Sequence, residues 1–228
     1  MSEEESARPF IEMSGRRGLG VKADDLIDRL EANARAEVES RHPDLSQAEK
    51  EKTAHTLAVG ALRYFLLKWT RNSVIVFDFE EALSTKGEAG PYCQYAAVRA
   101  NSIFRNLPTG EPAEALSKIS SAVGEDAARV SAVFEGEVGG EIWSLVTTAA
   151  RLEDALAQAA AQAEPSHLAK YTFQLAQSFN FFYHRRENRI LEEQEGVRRA
   201  VLVVVADFVR KRLTAALDAL GIQVPERM

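Results

Sequence analysis

The sequence lacks the features that mark several classes of protein. Cys93 is the only cysteine among 228 residues, so the chain can form neither an internal disulfide nor a cysteine-based zinc site. The N-terminus, MSEEES, is acidic, whereas a secretory signal starts with positive charge and continues with an apolar stretch. The most apolar run, residues 200–206, is far too short to span a bilayer. These absences predict a cytoplasmic protein.

Common catalytic signatures are also missing. The sequence has no Walker A motif and no GxGxxG followed by a βαβ pattern. Carboxylate pairs such as Glu80–Glu81 are adjacent in sequence, so on a helix they point apart and cannot act as a general acid–base dyad. His184 has no partner at metal-ligand spacing. Nothing in these patterns predicts a metal or catalytic site within this chain.

The composition is that of an ordered protein with one large or two modest domains. Hydrophobic residues make up 46% of the chain and charged residues 27%, enough apolar material for a sizeable core. The net charge of −6 disfavours nucleic-acid binding, although local clustering of basic groups matters more than the sum. Basic groups gather in the last fifth of the chain, at Arg185–Arg186, Arg198–Arg199 and Arg210–Lys211–Arg212.

Hydrophobic periodicity predicts helices nearly throughout. Ser46 and Glu49 fit a capping box, and Gly221 is placed to end the last helix. Residues 9–13, PFIEM, are predicted as a short strand, while residues 73–79 fit either a strand or a helix start at Asp78. The predicted helices span about 24–41, 46–69, 90–108, 112–122, 124–135, 138–162, 165–186 and 197–220. The architecture predicted is an all-α bundle.

The stretch GPYCQYAAVRANSIFRN, residues 90–106, carries the most information. A Gly-Pro turn opens a helix that presents Tyr92, Tyr95, Arg99 and Asn101 close together. Proteins hold single-stranded RNA by stacking its bases on aromatic or arginine planes and by hydrogen-bonding their edges. The alternative is that both tyrosines are core residues of an amphipathic helix.

Together with the preceding FDFEEALSTKGEA, this stretch resembles the anticodon-binding region of arginyl-tRNA synthetases, class I enzymes that join arginine to tRNA. Residues 61–83, ALRYFLLKWTRNSVIVFDFEEAL, and residues 167–186, HLAKYTFQLAQSFNFFYHRR, resemble the same family in the same order. The resemblance runs from about Pro9 to Met228. It implies the all-α helical bundle anticodon-binding domain of class I aminoacyl-tRNA synthetases, with a short N-terminal strand-loop remnant of the catalytic region.

Residues 12–28, EMSGRRGLGVKADDLID, resemble the family's form of the class I signature loop, usually written KMSKS. In those enzymes a mobile basic loop closes on ATP and stabilises charge on the departing pyrophosphate. The resemblance assigns this role to Met13, Ser14, Arg16 and Arg17. Glu12 stands where a lysine is common. The alternative for this stretch is a flexible basic loop beside a strand.

The HIGH motif and nucleotide-binding sheet of class I synthetases are not found, since none of the four histidines is followed by Gly-His. We therefore expect a C-terminal portion of a longer enzyme. Residues 1–45 would be the signature-loop remnant and connecting helix, and residues 46–228 the anticodon-binding domain, with 110–228 as its C-terminal subdomain. The resemblance implies tRNA(Arg) as partner, together with a catalytic domain on the same chain or a separate polypeptide. ATP with Mg belongs to the intact enzyme, and this chain alone is expected to bind no cofactor, metal, DNA or membrane and not to activate arginine.

The residues expected to contact tRNA come from three parts of the chain. Tyr95 and Arg99 are four residues apart and so share a helix face. The resemblance adds Tyr183, in the motif FFY, and Met228 at the chain end. Electrostatics adds phosphate contacts at Arg185 and Arg186.

Two other functions fit the same residues. The chain could be a free-standing RNA-binding or regulatory module without ligase activity. It could also be a helical protein–protein scaffold in which Tyr95 and Arg99 are structural.

Overall fold

The computed structural model describes residues 22–108 and 110–228, and these residues form helices without any β-strand. The helices are α1 (Ala23–Arg41), α2 (Gln47–Leu67), α3 (Phe79–Ala82), α4 (Gly90–Arg105), α5 (Glu111–Ala132), α6 (Gly136–Ala149), α7 (Leu152–Gln162), α8 (Ser166–His184) and α9 (Gly196–Ala219), with a 3₁₀ turn at Arg186–Asn188 between the last two. The predicted all-α bundle is confirmed. The predicted strand at residues 9–13 lies outside the described residues.

The last helix, α9, is the centre of the bundle. It packs against α4, α5, α6 and α8 and is buried on nearly all sides. Its buried residues include adjacent ones such as Leu202 and Val203, which lie on different faces of a helix. The main apolar core forms around it, while α1 and α2 pack together over two smaller clusters.

Local sequence signals set several helix ends as predicted. The Ser46 hydroxyl accepts a hydrogen bond from the Glu49 backbone, and the Glu49 carboxylate accepts one from the Ser46 backbone at 2.9 Å. This capping box satisfies two N–H groups that the first turn of α2 would leave unpaired. Gly221 takes the left-handed conformation at φ 70° and ends α9, as predicted.

Two predicted helix boundaries are wrong. The expected break near residue 123 is absent, because α5 runs unbroken through Gly124. That glycine is exposed, and glycine within a helix costs only about 1 kcal/mol relative to alanine. The predicted helix 138–162 is instead divided at Ala150 and Arg151. The division puts Ala149 and Leu152, on either side of it, into the core.

The ambiguous stretch before α3 resolves into extended chain followed by a helix start. Residues 73–78 have no regular structure, and the Val74 side chain is 88% exposed. The Asp78 carboxylate accepts a hydrogen bond from the Glu81 backbone at 2.9 Å and caps α3. In the described part of the chain, no helix combines the length and apolar character needed to cross a membrane.

Candidate nucleic-acid interface

Close backbone contact fixes α4 against α2. A Cβ on Gly90 would lie 2.4 Å from the Gly60 carbonyl oxygen, and a Cβ on Gly60 would lie 2.6 Å from the Gln94 side-chain nitrogen. Glycine at both positions therefore lets the two helices meet. Pro91 occupies the first turn of α4, where its missing N–H costs nothing. This crossing sets the direction in which the rest of α4 presents its side chains.

Tyr95 and Arg99 meet on the face of α4 that adjoins α8. The Arg99 guanidinium carbon lies 4.1 Å from the centroid of the Tyr95 ring and 5.3 Å from that of Tyr183. The guanidinium donates hydrogen bonds to Asn180 Oδ1 at 2.9 Å, His184 Nε2 at 3.0 Å and the Tyr95 hydroxyl at 3.2 Å. We call these five residues, Tyr95, Arg99, Asn180, Tyr183 and His184, the Arg99 cluster.

Among residues 22–108 and 110–228, no carboxylate is bonded to Arg99. Since a guanidinium can only donate, Nε2 of His184 is the acceptor in this contact. Three of the five guanidinium N–H donors are used by described residues. Tyr95 and Arg99 are half-buried, and Tyr183 is 37% exposed. The cluster therefore holds a positive charge in place while leaving donors and ring faces for a ligand.

The other two residues singled out on α4 lie elsewhere. The Tyr92 ring packs against Phe173, with centroids 5.3 Å apart, and joins the edge of the main core. Asn101 lines a groove of about 1080 Å³ between α2 and α9. The aromatic-plus-guanidinium surface predicted from this helix thus centres on Tyr95 and Arg99.

The two arginines that follow α8 differ from each other. Arg185 donates from Nε to Glu141 at 2.9 Å and from a terminal nitrogen to Glu137 at 2.8 Å, and its hydrogen bonds lower the pKa of the Glu141 carboxyl. Arg186 is exposed and its side chain pairs with no described residue. Of the two predicted phosphate contacts, Arg186 is the unpaired charge.

The basic groups that follow Arg186 are also paired with acids, although Arg210 and Lys211 share one carboxylate. Glu193 and Glu111 pair with Arg198 and Arg199, respectively. Asp207 pairs with both Arg210 and Lys211, and Glu153 with Arg212. The run of basic residues seen in the sequence is therefore not a continuous positive surface.

Met228 lines a cavity of about 330 Å³ between α1, α2 and the loop that precedes α4. It packs beside Val38, Leu57 and Leu83. The loop supplies Ser84, Thr85 and Lys86 to the wall, and Pro91 of α4 lines the same cavity. The chain end therefore lies beside the N-terminal turn of α4. Tyr95 follows one turn later on the same helix.

Sequence reasoning missed two parts of this arrangement. Asn180 was not singled out, although a polar residue within the apolar pattern of FNFF is a signal, and it is 7% exposed. The sequence also does not reveal that the loop with Ser84, Thr85 and Lys86 lines a cavity. This loop is held by the buried Lys68, which donates to Glu81 at 2.5 Å and to the Glu88 carbonyl at 3.2 Å. The signature-loop residues Met13, Ser14, Arg16 and Arg17 lie outside the described residues.

A family model and several curated relatives match this chain. The family model described as DALR anticodon binding domain matches residues 93–228. An arginine–tRNA ligase of Thermus thermophilus is 35% identical over 223 residues, covering 95% of this chain and 34% of the relative. One from Pyrococcus abyssi is 33% identical over 231 residues, covering 100% and 34%. The chain therefore spans about a third of the length of the curated relatives it matches.

Solved structures agree with the sequence matches. The structure of Thermus thermophilus arginyl-tRNA synthetase superimposes with a TM-score of 0.74 at 30% identity, over 96% of this chain and 33% of the other. Arginyl-tRNA synthetase from Plasmodium falciparum gives a TM-score of 0.64 at 22% identity, over 91% and 34%. The second likeness shows the fold alone.

Proposed function

The chain belongs to the DALR anticodon binding domain family, and from that premise we propose that it binds the anticodon loop of tRNA(Arg) as part of an arginine–tRNA ligase. The relatives that carry the name arginine–tRNA ligase are about three times as long. In this proposal the catalytic domain is supplied by the same chain or by a separate polypeptide, in the cytoplasm.

The observation that carries the proposal is the state of Arg99. Its guanidinium lies over the Tyr95 ring and, within the described part of the chain, bonds to an amide oxygen, an imidazole nitrogen and a phenol oxygen but to no carboxylate. A charge without a carboxylate partner stays attractive to RNA, and the planar fork can form two parallel hydrogen bonds to a base edge or phosphate. Tyr95 and Tyr183 add ring faces beside it, and unpaired bases stack on such faces in single-strand recognition.

The Met228 cavity is the second part of the proposed site. Its lining combines apolar side chains with polar groups from the loop and from α1, among them Asn33, Arg41 and Lys86. Ligand pockets in proteins combine an apolar lining with a few polar groups, and about 330 Å³ is at the small end of their range. This is the arrangement expected for one unpaired base.

The phosphate contacts are assigned to Arg186 and, less strongly, to Arg185. Phosphate contacts contribute charge-dependent affinity without reading sequence. Arg186 is unpaired among the described residues, whereas Arg185 must leave Glu137 and Glu141 to meet a phosphate. Arg186 therefore contributes more to binding.

The signature-loop residues Met13, Ser14, Arg16 and Arg17 complete the proposal on the catalytic side. In the intact ligase, ATP with Mg supplies the energy for joining arginine to tRNA. The part assigned to this chain is the positive charge of Arg16 and Arg17, which suits a departing pyrophosphate.

The experiment is a binding titration with two RNA stem-loops. One carries the anticodon of an arginine acceptor, and the other has the same stem with an unrelated anticodon. We expect tighter binding to the first, with a slope of log K against log salt of roughly −2 to −4 for about three to five phosphate contacts. Equal affinity for both would remove the anticodon role and leave a non-specific RNA-binding module.

A further inference from the structure

Gln94 is a fully buried polar residue, next to Tyr95, that the proposed RNA contacts do not use. Its side chain is 0% exposed. The amide nitrogen donates to the Thr56 carbonyl at 3.1 Å and to the Gln223 carbonyl at 2.8 Å. Both N–H groups of the amide are therefore used, while Oε1 has no hydrogen-bond partner among the described residues. The amide thus acts here as a donor to two backbone carbonyls.

The space for this amide is built into α2. Thr56 and Gly60 belong to that helix, and a Cβ on Gly60 would lie within 2.8 Å of three atoms of the Gln94 amide. The glycine that lets α4 approach α2 therefore also makes room for the amide between them.

The second acceptor belongs to the segment that ends in Met228. After Gly221 the chain leaves α9 and runs without regular structure. The Arg63 guanidinium donates to the Leu220 carbonyl at 2.9 Å where this segment starts, and Arg227 pairs with Asp44 at 3.0 Å near its end. Gln94 holds the segment between these two points. Of these three polar contacts between described residues, that of Gln94 alone is fully buried.

We infer that Gln94 is a positioning residue that ties the C-terminal segment to α4, so that Met228 and the Tyr95–Arg99 pair keep a fixed separation. The inference rests on the proposed function for its consequence in RNA binding. Its physical basis is independent, because one side chain bonds to α2 and to the C-terminal segment while it is itself part of α4. Loss of the donors would leave two buried carbonyls unsatisfied and release the segment.

The test uses Gln94→Glu in the 228-residue chain. The substitution keeps the shape but replaces the donor with a carboxylate facing two carbonyls. Gln174→Glu is the matched control, since Gln174 lies exposed on α8. The sequence contains three methionines, so a sample with ¹³C-labelled methionine methyl groups gives few signals, and Met228→Leu assigns the relevant one.

In Gln94→Glu the Met228 methyl signal should move to the position and width of a solvent-exposed methionine. Carboxypeptidase should release Met228 about tenfold faster than from the wild type. Lowering the pH should partly reverse both changes, because a protonated carboxyl can again donate one hydrogen bond. An unchanged Met228 signal would overturn the inference. If the buried charge prevents folding, Gln94→Met removes the donors without adding charge and is judged by the same two readouts.

The RNA measurement tests whether the tie matters for binding. Gln94→Glu and Met228→Ala should each weaken binding of the arginine stem-loop about tenfold, and the double variant should be no weaker than the worse single one. Multiplied effects would mean that Gln94 does not act through Met228 and would contradict the inference. If the wild-type chain shows no anticodon preference, the proposed function fails while the methyl signal still decides the role of Gln94.

Discussion

Arg99 contacts α8, and Arg185 is the residue that follows α8, yet the two side chains have opposite surroundings. Arg99 is surrounded by two tyrosine rings, an amide and an imidazole. Arg185 is surrounded by the carboxylates of Glu137 and Glu141. Among the described residues the first arginine has no anionic partner, whereas two carboxylates balance the charge of the second.

This difference makes the proposed RNA site compatible with a net charge of −6. Affinity depends on which cations are left without an internal partner, since a pair of opposite charges attracts phosphate weakly. Most basic residues near the C-terminus pair with acids. Neutral partners at Arg99 preserve a local positive potential that the overall charge does not reveal.

The largest expected effect is that of Arg99→Ala. The substitution removes the charge, the guanidinium donors and the stacked plane together, so we expect a loss of about 2–3 kcal/mol in RNA binding. Arg185→Ala should weaken binding much less, because Glu137 and Glu141 already pair with that residue. Titration of both variants with the arginine stem-loop measures the contrast. Equal losses would mean that the internal partners do not matter.

Tyr95→Ala should weaken RNA binding by about 1–3 kcal/mol if a base stacks on the ring. Tyr95 is only half-buried, so the melting temperature should change little. Tyr171 provides the contrasting control, since it is buried at 6% exposure and donates to the Ala149 carbonyl at 3.0 Å. Tyr171→Ala should lower the melting temperature by several degrees with no selective effect on the arginine stem-loop. A large fall in melting temperature for Tyr95→Ala without a selective loss of RNA binding would show that Tyr95 is a structural core residue.

Glu141→Gln should have the smallest effect, and it should be a gain. Because the hydrogen bond from Arg185 lowers the pKa of Glu141, this pair is intact above the ordinary carboxyl pKa and is lost as pH falls through the lowered value. Removing the carboxylate at neutral pH should release Arg185 and tighten RNA binding by about twofold. Glu153→Gln removes the same charge beside Arg212 and controls for net charge. Equal gains in both variants would show that only the overall charge matters.

Helix ends that depend on residues close together in the sequence were predictable. The Ser46–Glu49 capping box and the end of α9 at Gly221 depend on groups a few residues apart. The break after Ala149 has no such signal in its Ala-rich stretch. It follows from packing that carries Leu152 into the core, so a helix pattern could not show it.

In the candidate site, too, contacts between residues close in sequence were predictable and long-range contacts were not. Tyr95 and Arg99 are four residues apart, and their pairing follows from helix geometry. The ion pairs of Arg185 join residues 44 and 48 positions apart, and Asn180 meets Arg99 across 81 positions. Tertiary contacts therefore decide which cations have an anionic partner, and the order of residues does not reveal those contacts.

The most direct test of the account is Arg99→Lys, measured with the two stem-loops and by thermal unfolding. Lysine keeps the charge but loses the planar fork and most of the stacking on Tyr95. Arg212→Lys is the matched control, because the Arg212 guanidinium carbon also lies over an aromatic ring, 5.1 Å from the Phe208 centroid, but the residue pairs with Glu153. We expect Arg99→Lys to bind the arginine stem-loop about tenfold more weakly, lose most of its preference over the unrelated anticodon, and melt within about 2 °C of the wild type. Unchanged binding and preference together with a large fall in melting temperature would contradict the account and make Arg99 a structural residue.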